Sequence, residues 1–280
     1  MRMFVRGTVL LLVWYSQGGF HDLRAQISLT PKRVVIQASS KTGELRVSNG
    51  SGVVQEITLV AEFEYPVFDR NGDMRFQNSA ETSLDVSSLD SVISIFPRQF
   101  LLEPGSTQVV RLFIDRRFEP PDGLYWTRIR VESFKHNTEP KADIITEGVG
   151  PRVTFQVHQS LPVYYQHGDM QTNLKLMEQS LDTVDDKDVL RSRFQRAGNG
   201  PFMGNVTTSI SDEMGEIQSN ITQTFYCFSE DWLVMELPER LHHSDVWEIR
   251  YHFIPRVFDR KSGEMKDGIP FEIHGILHSY

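Results

Sequence analysis

The stretch from Val149 to Tyr165, VGPRVTFQVHQSLPVYY, constrains the fold of this chain more than any other. Polar residues alternate along it with residues that are apolar or ring-bearing, and this period of two predicts a β-strand with one covered face. Fully extended at ~3.3 Å per residue, the stretch would reach roughly 55 Å, well beyond a usual strand. It is either an ordinary core strand with an irregular first part or a strand of which one part interacts with a partner outside its own domain. The face to be covered consists of Val149, Pro151, Val153, Phe155, Val157, Leu161, Val163 and Tyr165, with Gln159 as its polar member.

The remainder of the chain also favours strands, and no segment has a convincing helical period. About seven strands precede Tyr165, at the spacing of an immunoglobulin-like sandwich. A turn cluster from Gln166 to Asp169 follows and separates a second half with seven further strand-like segments. The sequence therefore predicts an all-β chain of two immunoglobulin-like β-sandwich domains, 26–165 and 166–280, set at an angle with a cleft between them.

Two local patterns are specific enough to predict their own geometry. VFDRNGDM from Val67 and VFDRKSGEM from Val257 echo each other, which predicts two similar hairpins. The D-x-N-x-D spacing from Asp69 also occurs at the start of calcium loops, but the glycine and final glutamate of such a loop are missing, which favours a turn. The alternation within LYWTRIRVES slips phase once and predicts a β-bulge.

The first 25 residues differ from the rest. Arg2 and Arg6 precede an apolar run that ends at Tyr15, and a polar stretch then ends at Ala25. This order predicts a secretory signal peptide, 1–25, cleaved after Ala25. The run is too short to span a bilayer and no later segment offers ~20 apolar residues, so no membrane helix is expected. Cys227 is the only cysteine, which excludes an intrachain disulfide and predicts a buried thiol.

Charge and motif content argue against two large functional classes. Acidic residues outnumber basic ones by 37 to 29 and no basic block occurs, so binding to nucleic acid is not expected. The chain has no G-x-S-x-G, no H-E-x-x-H, no glycine-rich phosphate loop and no cysteine pair. His242-His243 and the pair His274 and His278 lack matching ligands for a metal. We therefore expect neither an enzyme nor a bound cofactor or metal.

Three motifs carry a resemblance to a known family. LTPKRVVI contains an arginine, Arg33, that closes a short polar run before apolar residues. The most specific motif is Phe100-x-Leu102-Glu103-Pro104-Gly105, followed by Val110-Arg111-Leu112, and the third is the set of alternate residues from Val153 to Tyr165. Together they resemble the PapD-like periplasmic chaperones of the chaperone–usher pathway, which assemble pili. The resemblance covers Ile27 to Tyr165 well and the remainder only in outline, with RAGNGPFMGNV similar to a turn of the second domain.

The resemblance implies a binding function that involves no catalysis. In this family the chaperone lends its last first-domain strand to a pilin subunit that lacks one, a form of strand addition, and an outer-membrane usher then receives the subunit without use of ATP. Val153, Phe155 and Val157 would be the lent side chains, and Val149 and Pro151 would either extend that face or order the loop. Arg33 would bind the carboxylate at the C-terminus of the subunit; the alternative is a salt bridge inside the first sandwich.

The chain departs from the family pattern at one position. Where better-known members carry a lysine just before the apolar-aromatic end of the lent strand, this chain has Pro162. Arg152 or His158 could supply the missing cation only if the strand directs them to the cleft. An exported two-domain sandwich of another kind, such as an adhesin-like envelope protein, is the alternative function. An exposed apolar strand would also favour self-association.

Overall fold

A computed structural model describes residues 27–78, 87–135, 157–237, 241, 244–259 and 262–278. These residues form nineteen strands in two β-sandwich domains, which confirms the predicted all-β, immunoglobulin-like fold. The signal sequence predicted at 1–25 lies outside the described residues.

The first sandwich consists of two sheets. One sheet has the order β1 (Ile27–Thr30), β3 (Thr42–Asn49), β9 (Thr107–Ile114) and β7 (Ile93–Phe96). The other has the order β2 (Val34–Gln37), β11 (Val157–His167), β10 (Gly123–Lys135), β4 (Gln55–Glu62) and β8 (Gln99–Leu102). Strands β5 (Glu64–Phe68) and β6 (Met74–Asn78) form a separate hairpin.

The chain passes to the second sandwich between His167 and Leu174. One of its sheets has the order β12 (Leu174–Val184), β13 (Lys187–Arg196) and β16 (Glu230–Glu236). The other places β15 (Ile217–Cys227), β14 (Phe202–Ser211) and β17 (Val246–Phe258) side by side, and β17 also pairs with β18 (Met265–Asp267) and β19 (Phe271–His278).

Each sandwich buries its own apolar core between its two sheets. Ile36, Leu45 and Ile129 lie at the centre of the first core, and Leu190, Phe194 and Phe253 at the centre of the second, all without solvent exposure. At roughly 1.5 to 3 kcal/mol for each fully buried large side chain, these cores stabilise the domains without any disulfide. The thiol of Cys227 is buried in the second core, as predicted.

The opening segment ISLTPKRVVIQ alternates like a single strand but forms two. β1 joins one sheet by pairing with β3, and β2 joins the opposite sheet by pairing in parallel with β11. Pro31, Lys32 and Arg33 make the bend that carries the chain between the sheets. Because both halves direct apolar side chains to the same core, the alternation cannot reveal the break.

More strand segments precede His167 than the seven predicted: the structure contains eleven. Besides the split opening segment, the long run EITLVAEFEYPVF breaks at Phe63 into β4 and β5. β4 stays in the first sandwich, whereas β5 leaves its sheet and turns back as β6. The turn between them is the predicted Asn71-Gly72 reversal, in which Gly72 has a φ of 85°.

The predicted bulge in LYWTRIRVES was wrong. β10 pairs continuously with β11 from Gly123 to Ser133. Leu124 and Trp126 are nevertheless as buried as Tyr125 and Ile129, which lie on the opposite face. The apparent phase slip arises because this end of the strand is covered on both sides, by the core of the first domain and by a cluster shared with the second domain.

Candidate functional site

The strand β11 has one paired edge and one edge that is largely open. β10 pairs with it along its whole length, from Val157 to His167. On the opposite edge β2 pairs only with residues 163 to 166. From Val157 to Pro162 no strand among the described residues pairs with that edge, and the contact there is a hydrogen bond of 2.7 Å from Gln159 Nε2 to the carbonyl oxygen of Ile27. An open edge of this kind is a template for another polypeptide strand.

The described part of the predicted covered face is core. Leu161, Val163 and Tyr165 are at most 2% exposed and pack inside the first sandwich. Val149, Pro151, Val153 and Phe155 lie outside the described residues; Val157 begins β11, and its side chain is likewise not described. The predicted role of these five residues therefore stays a prediction.

The opposite face of β11 contacts the second domain at Tyr164. It carries His158, Ser160, Pro162 and Tyr164 in sequence, and the ring centroid of Tyr164 lies 5.1 Å from that of Phe258. Burial raises the pKa of the Tyr164 hydroxyl to about 12, while the positive charges of Arg128 and Arg33 act in the opposite direction. Arg33 and Arg128, whose positive charges both act on the Tyr164 hydroxyl, are together called the cationic site.

Arg33 lies on the rim of a cavity between the two domains. It is exposed, follows the bend before β2, and its Nη1 atom contacts the sulfur of Met265 from the second domain. The cavity has a volume of about 400 Å³ and is lined by Arg33, Val35 and residues 262 to 265. No carboxylate among the described residues forms an ion pair with Arg33, so the alternative of a salt bridge within the first sandwich has no support in this part of the chain.

Arg128 is the functional candidate that sequence reasoning missed. In the β10–β11 ladder it lies directly opposite Pro162, the position at which the family pattern has a lysine. Its side chain is only 16% exposed. Nε donates a hydrogen bond of 2.7 Å to Ser160 Oγ, and Nη2 donates one of 3.3 Å to the carbonyl oxygen of Ser160. Sequence position alone hides this arrangement, because the cation belongs to the neighbouring strand and not to the strand that lacks it.

Arg128 contacts an aromatic ring and lies near one carboxylate. The guanidinium carbon lies 4.3 Å from the ring centroid of Phe76, a cation–π contact, and Nε is 3.9 Å from a Glu64 carboxylate oxygen. Burial lowers the pKa of Arg128, although a guanidinium stays charged at any physiological pH. A largely buried cation favours an anionic ligand, and a carboxylate suits the planar geometry of a guanidinium.

The remaining charged residues on this face are paired with each other. Arg130 forms ion pairs of 2.6 Å with Glu62 and 2.8 Å with Glu132. His158 shares the face of Pro162, but its Nδ1 atom lies 3.8 Å from Glu132 and the residue is exposed. It lies four residues from Pro162, roughly 13 Å along an extended strand, so it is badly placed to supply the missing cation. Arg152 lies outside the described residues.

The described residues contain no group of three or more histidine, cysteine or acidic side chains arranged to hold a metal ion. His274 lies beside Glu272, with 3.6 Å between Nε2 and the carboxylate oxygen, and His242-His243 lie outside the described part. Among the residues that the structure describes, no helix has the length and apolarity needed to cross a membrane.

Comparison with solved structures finds similar folds at low sequence identity. The YadV chaperone is 11% identical, with a TM-score of 0.47 over 89% of this chain and 100% of that chain. The class 5 fimbriae chaperone CfaA is 10% identical, with a TM-score of 0.49 over 88% of this chain and 100% of that chain. A chain in the complex of the Salmonella enterica SafA pilin with the SafB chaperone is 14% identical, with a TM-score of 0.44 over 90% and 96%.

These identities and TM-scores are too low to assign a function to this chain. No protein-family model matches it, and no curated protein is similar to it.

Proposed function

We propose that this protein is a periplasmic chaperone that binds pilus or fimbrial subunits by lending them a strand, and that it then delivers them to an outer-membrane usher without ATP. The observation that carries the proposal is the open edge of β11 between Val157 and Pro162. That edge continues the stretch from Val149 to Val157, whose alternate apolar residues the sequence singles out. The family resemblance of the motifs supports the same reading.

Strand addition explains how such an edge binds a client. A subunit that lacks its final strand exposes unpaired backbone groups and an apolar groove. A strand from this chain would satisfy the backbone groups, and its alternate side chains would fill the groove. Val153, Phe155 and Val157 are the proposed lent side chains, and each is worth ~1.5 to 3 kcal/mol when fully buried. Val149 and Pro151 would extend the same face.

The cationic site would bind the end of the client. A C-terminal carboxylate would enter the cavity beside Arg33, whose lining also includes Glu264. We propose that Arg128 replaces the lysine that is absent at Pro162, since it reaches the same level of the strand from β10. Two guanidinium groups can each hold a carboxylate through paired hydrogen bonds, which fixes the register of the client strand on β11.

Client capture tests the proposal. The tagged protein is isolated from the periplasm of its own organism, washed, and its partners are identified by mass spectrometry. We expect a small β-protein that lacks one strand, and we expect it to be lost when Val153, Phe155 and Val157 are all changed to serine. Retention of the same partner by that triple variant would refute strand lending.

The same experiment separates the alternative functions. A partner without a missing strand, or a surface-exposed location, would favour an adhesin-like envelope protein. A second copy of this chain as the sole partner, lost in the triple variant, would show that the lent strand serves self-association. Either result would overturn the chaperone assignment.

A further inference from the structure

The two VFDR hairpins lie at the domain interface, and each contacts the opposite domain. The first is β5–β6, with its turn at Asp69 to Asp73, and the second is β17–β18, with its turn at Asp259 to Gly263. Gly72 and Gly263 both have positive φ values, 85° and 71°, and occupy corresponding places in the two turns. The repeated sequence therefore marks two equivalent structural elements, although no wider repeat accompanies it.

The first hairpin, which belongs to the first domain, docks on the second. The backbone N–H of Phe68 donates a hydrogen bond of 2.9 Å to Asp231 Oδ1. Arg191 Nε donates one of 3.1 Å to the carbonyl oxygen of Arg70, and the Arg70 guanidinium lies 5.6 Å from the Trp232 ring centroid. A Cβ added to Gly72 would lie 3.2 Å from Val234, so the turn backbone itself contacts the second domain.

The second hairpin makes the reciprocal contact on the first domain. The Phe258 ring packs against Tyr164, and Met265 contacts the Arg33 guanidinium. A Cβ added to Gly263 would lie 3.6 Å from Val35. The tips of both hairpins therefore rest on strands of the domain to which they do not belong.

A buried aromatic cluster lies between the two docked hairpins. Phe228 of the second domain lies 5.0 Å from Trp126 and 5.9 Å from Tyr65 of the first domain, measured between ring centroids. These residues, with Phe63 and Met203, are at most 3% exposed. A large apolar interface of this kind opposes the relative motion that two linked domains otherwise show.

We propose that the two hairpins are reciprocal clamps that hold the sandwiches as one rigid unit and thereby fix the two guanidinium groups of the cleft. Each clamp contacts one of them: Phe76, on the first hairpin, packs against Arg128, and Met265, on the second, packs against Arg33. Loss of either clamp widens the distribution of domain orientations. The proposal concerns the free protein and does not depend on the identity of any client.

Distance measurement between spin labels tests the clamps. Glu103 in the first domain and Met214 in the second are exposed, so cysteines at these positions accept labels, whereas the thiol of Cys227 is buried. The wild-type chain should give one narrow distance distribution. Arg191→Ala and Phe258→Ala should each broaden it, and the double variant should broaden it most.

Matched controls exist for both variants. Arg193 lies on the same strand as Arg191 and also approaches Trp232, but its ion pairs with Glu178 and Glu230 stay within the second domain. Phe271 packs on Phe253 within the same domain. Arg193→Ala and Phe271→Ala should keep the narrow distribution. If Phe258→Ala does not fold, Phe258→Leu serves in its place. An unchanged distribution in the folded clamp variants, or equal broadening in the controls, would overturn the proposal.

Discussion

The substitution of valine by threonine, made at two positions between Val149 and Tyr165, distinguishes a strand that is lent to a client from a strand buried in the protein's own core. Val153 and Val163 have the same parity between Val149 and Tyr165. Val163 is fully buried in the core of the first sandwich, whereas we propose that Val153 is available to a client. Valine and threonine have nearly the same shape, so Val→Thr adds a hydroxyl without opening a cavity.

The expected cost differs between the two sites. At Val163 the hydroxyl is placed among Ile36, Ile129 and other apolar side chains, and a buried hydroxyl without a partner costs ~1 to 3 kcal/mol. A substitution outside the core changes stability by about 0.5 kcal/mol or less. Val163→Thr should therefore lower the free energy of unfolding measurably, and Val153→Thr should leave it close to that of the wild type.

Urea denaturation without any client measures both free energies. Trp126, only 1% exposed at the domain interface, contributes to the tryptophan fluorescence that follows unfolding. In client capture the order should reverse, since Val153→Thr weakens the complex while the chaperone stays folded. If Val153→Thr destabilises the free chain as much as Val163→Thr does, residue 153 belongs to the core and the proposed lent strand is refuted.

Three further predictions concern the cleft and the second domain. Arg128→Met should weaken binding of the C-terminal peptide of the captured client about tenfold or more in titration calorimetry, as expected for a lost charge-assisted hydrogen bond. Arg130→Met is the control and should leave the affinity for the peptide unchanged. Equal effects of the two variants would contradict a special role for Arg128. Burial raises the pKa of Asp231 to about 6, so the stability that its proton contributes is complete below pH ~4 and is lost as the pH rises through 6, by a change on the order of 3 kcal/mol. Urea midpoints measured between pH 4 and 7 should therefore fall as the pH rises, and they should fall less in Asp231→Asn. An equal fall in that variant would exclude Asp231 as the source of the pH dependence. Burial raises the pKa of the Cys227 thiol, so a thiol reagent should react only after unfolding, and fast reaction of the folded chain would contradict that burial.

The strands and tight turns could be predicted from the sequence because both are local. Alternation identified all the long strands of the second domain, and Asn71-Gly72 identified the first hairpin turn. Sheet membership was not predictable in the same way. The opening segment keeps its alternation while it changes sheets at Pro31, and β10 lost its alternation without a bulge because Leu124 and Trp126 are covered by another domain. Burial of the second face of a strand depends on residues that are distant in sequence, so alternation along the strand cannot predict it.

The residues of the candidate site could likewise be predicted from the sequence only in part. Arg33 was found from a motif, and the structure places it on the cavity between the domains. Arg128 was not found, because the sequence reports the absence of a cation at Pro162 but not the strand that lies beside it. To identify Arg128 as the replacement for a cation at Pro162, one must know which residues of β10 and β11 lie opposite each other.

The two hairpins were predicted as local structures, but their partners were not. A turn such as Asn71-Gly72 fixes the reversal of its own strands and contains no information about the surface on which the reversal docks. Since Phe76 and Met265 bring the two hairpins against Arg128 and Arg33, the cleft depends on contacts at the rim of the interface. Both sandwich cores lie apart from those contacts. A sequence change that loosens a hairpin should therefore alter the cationic cleft before it unfolds either domain.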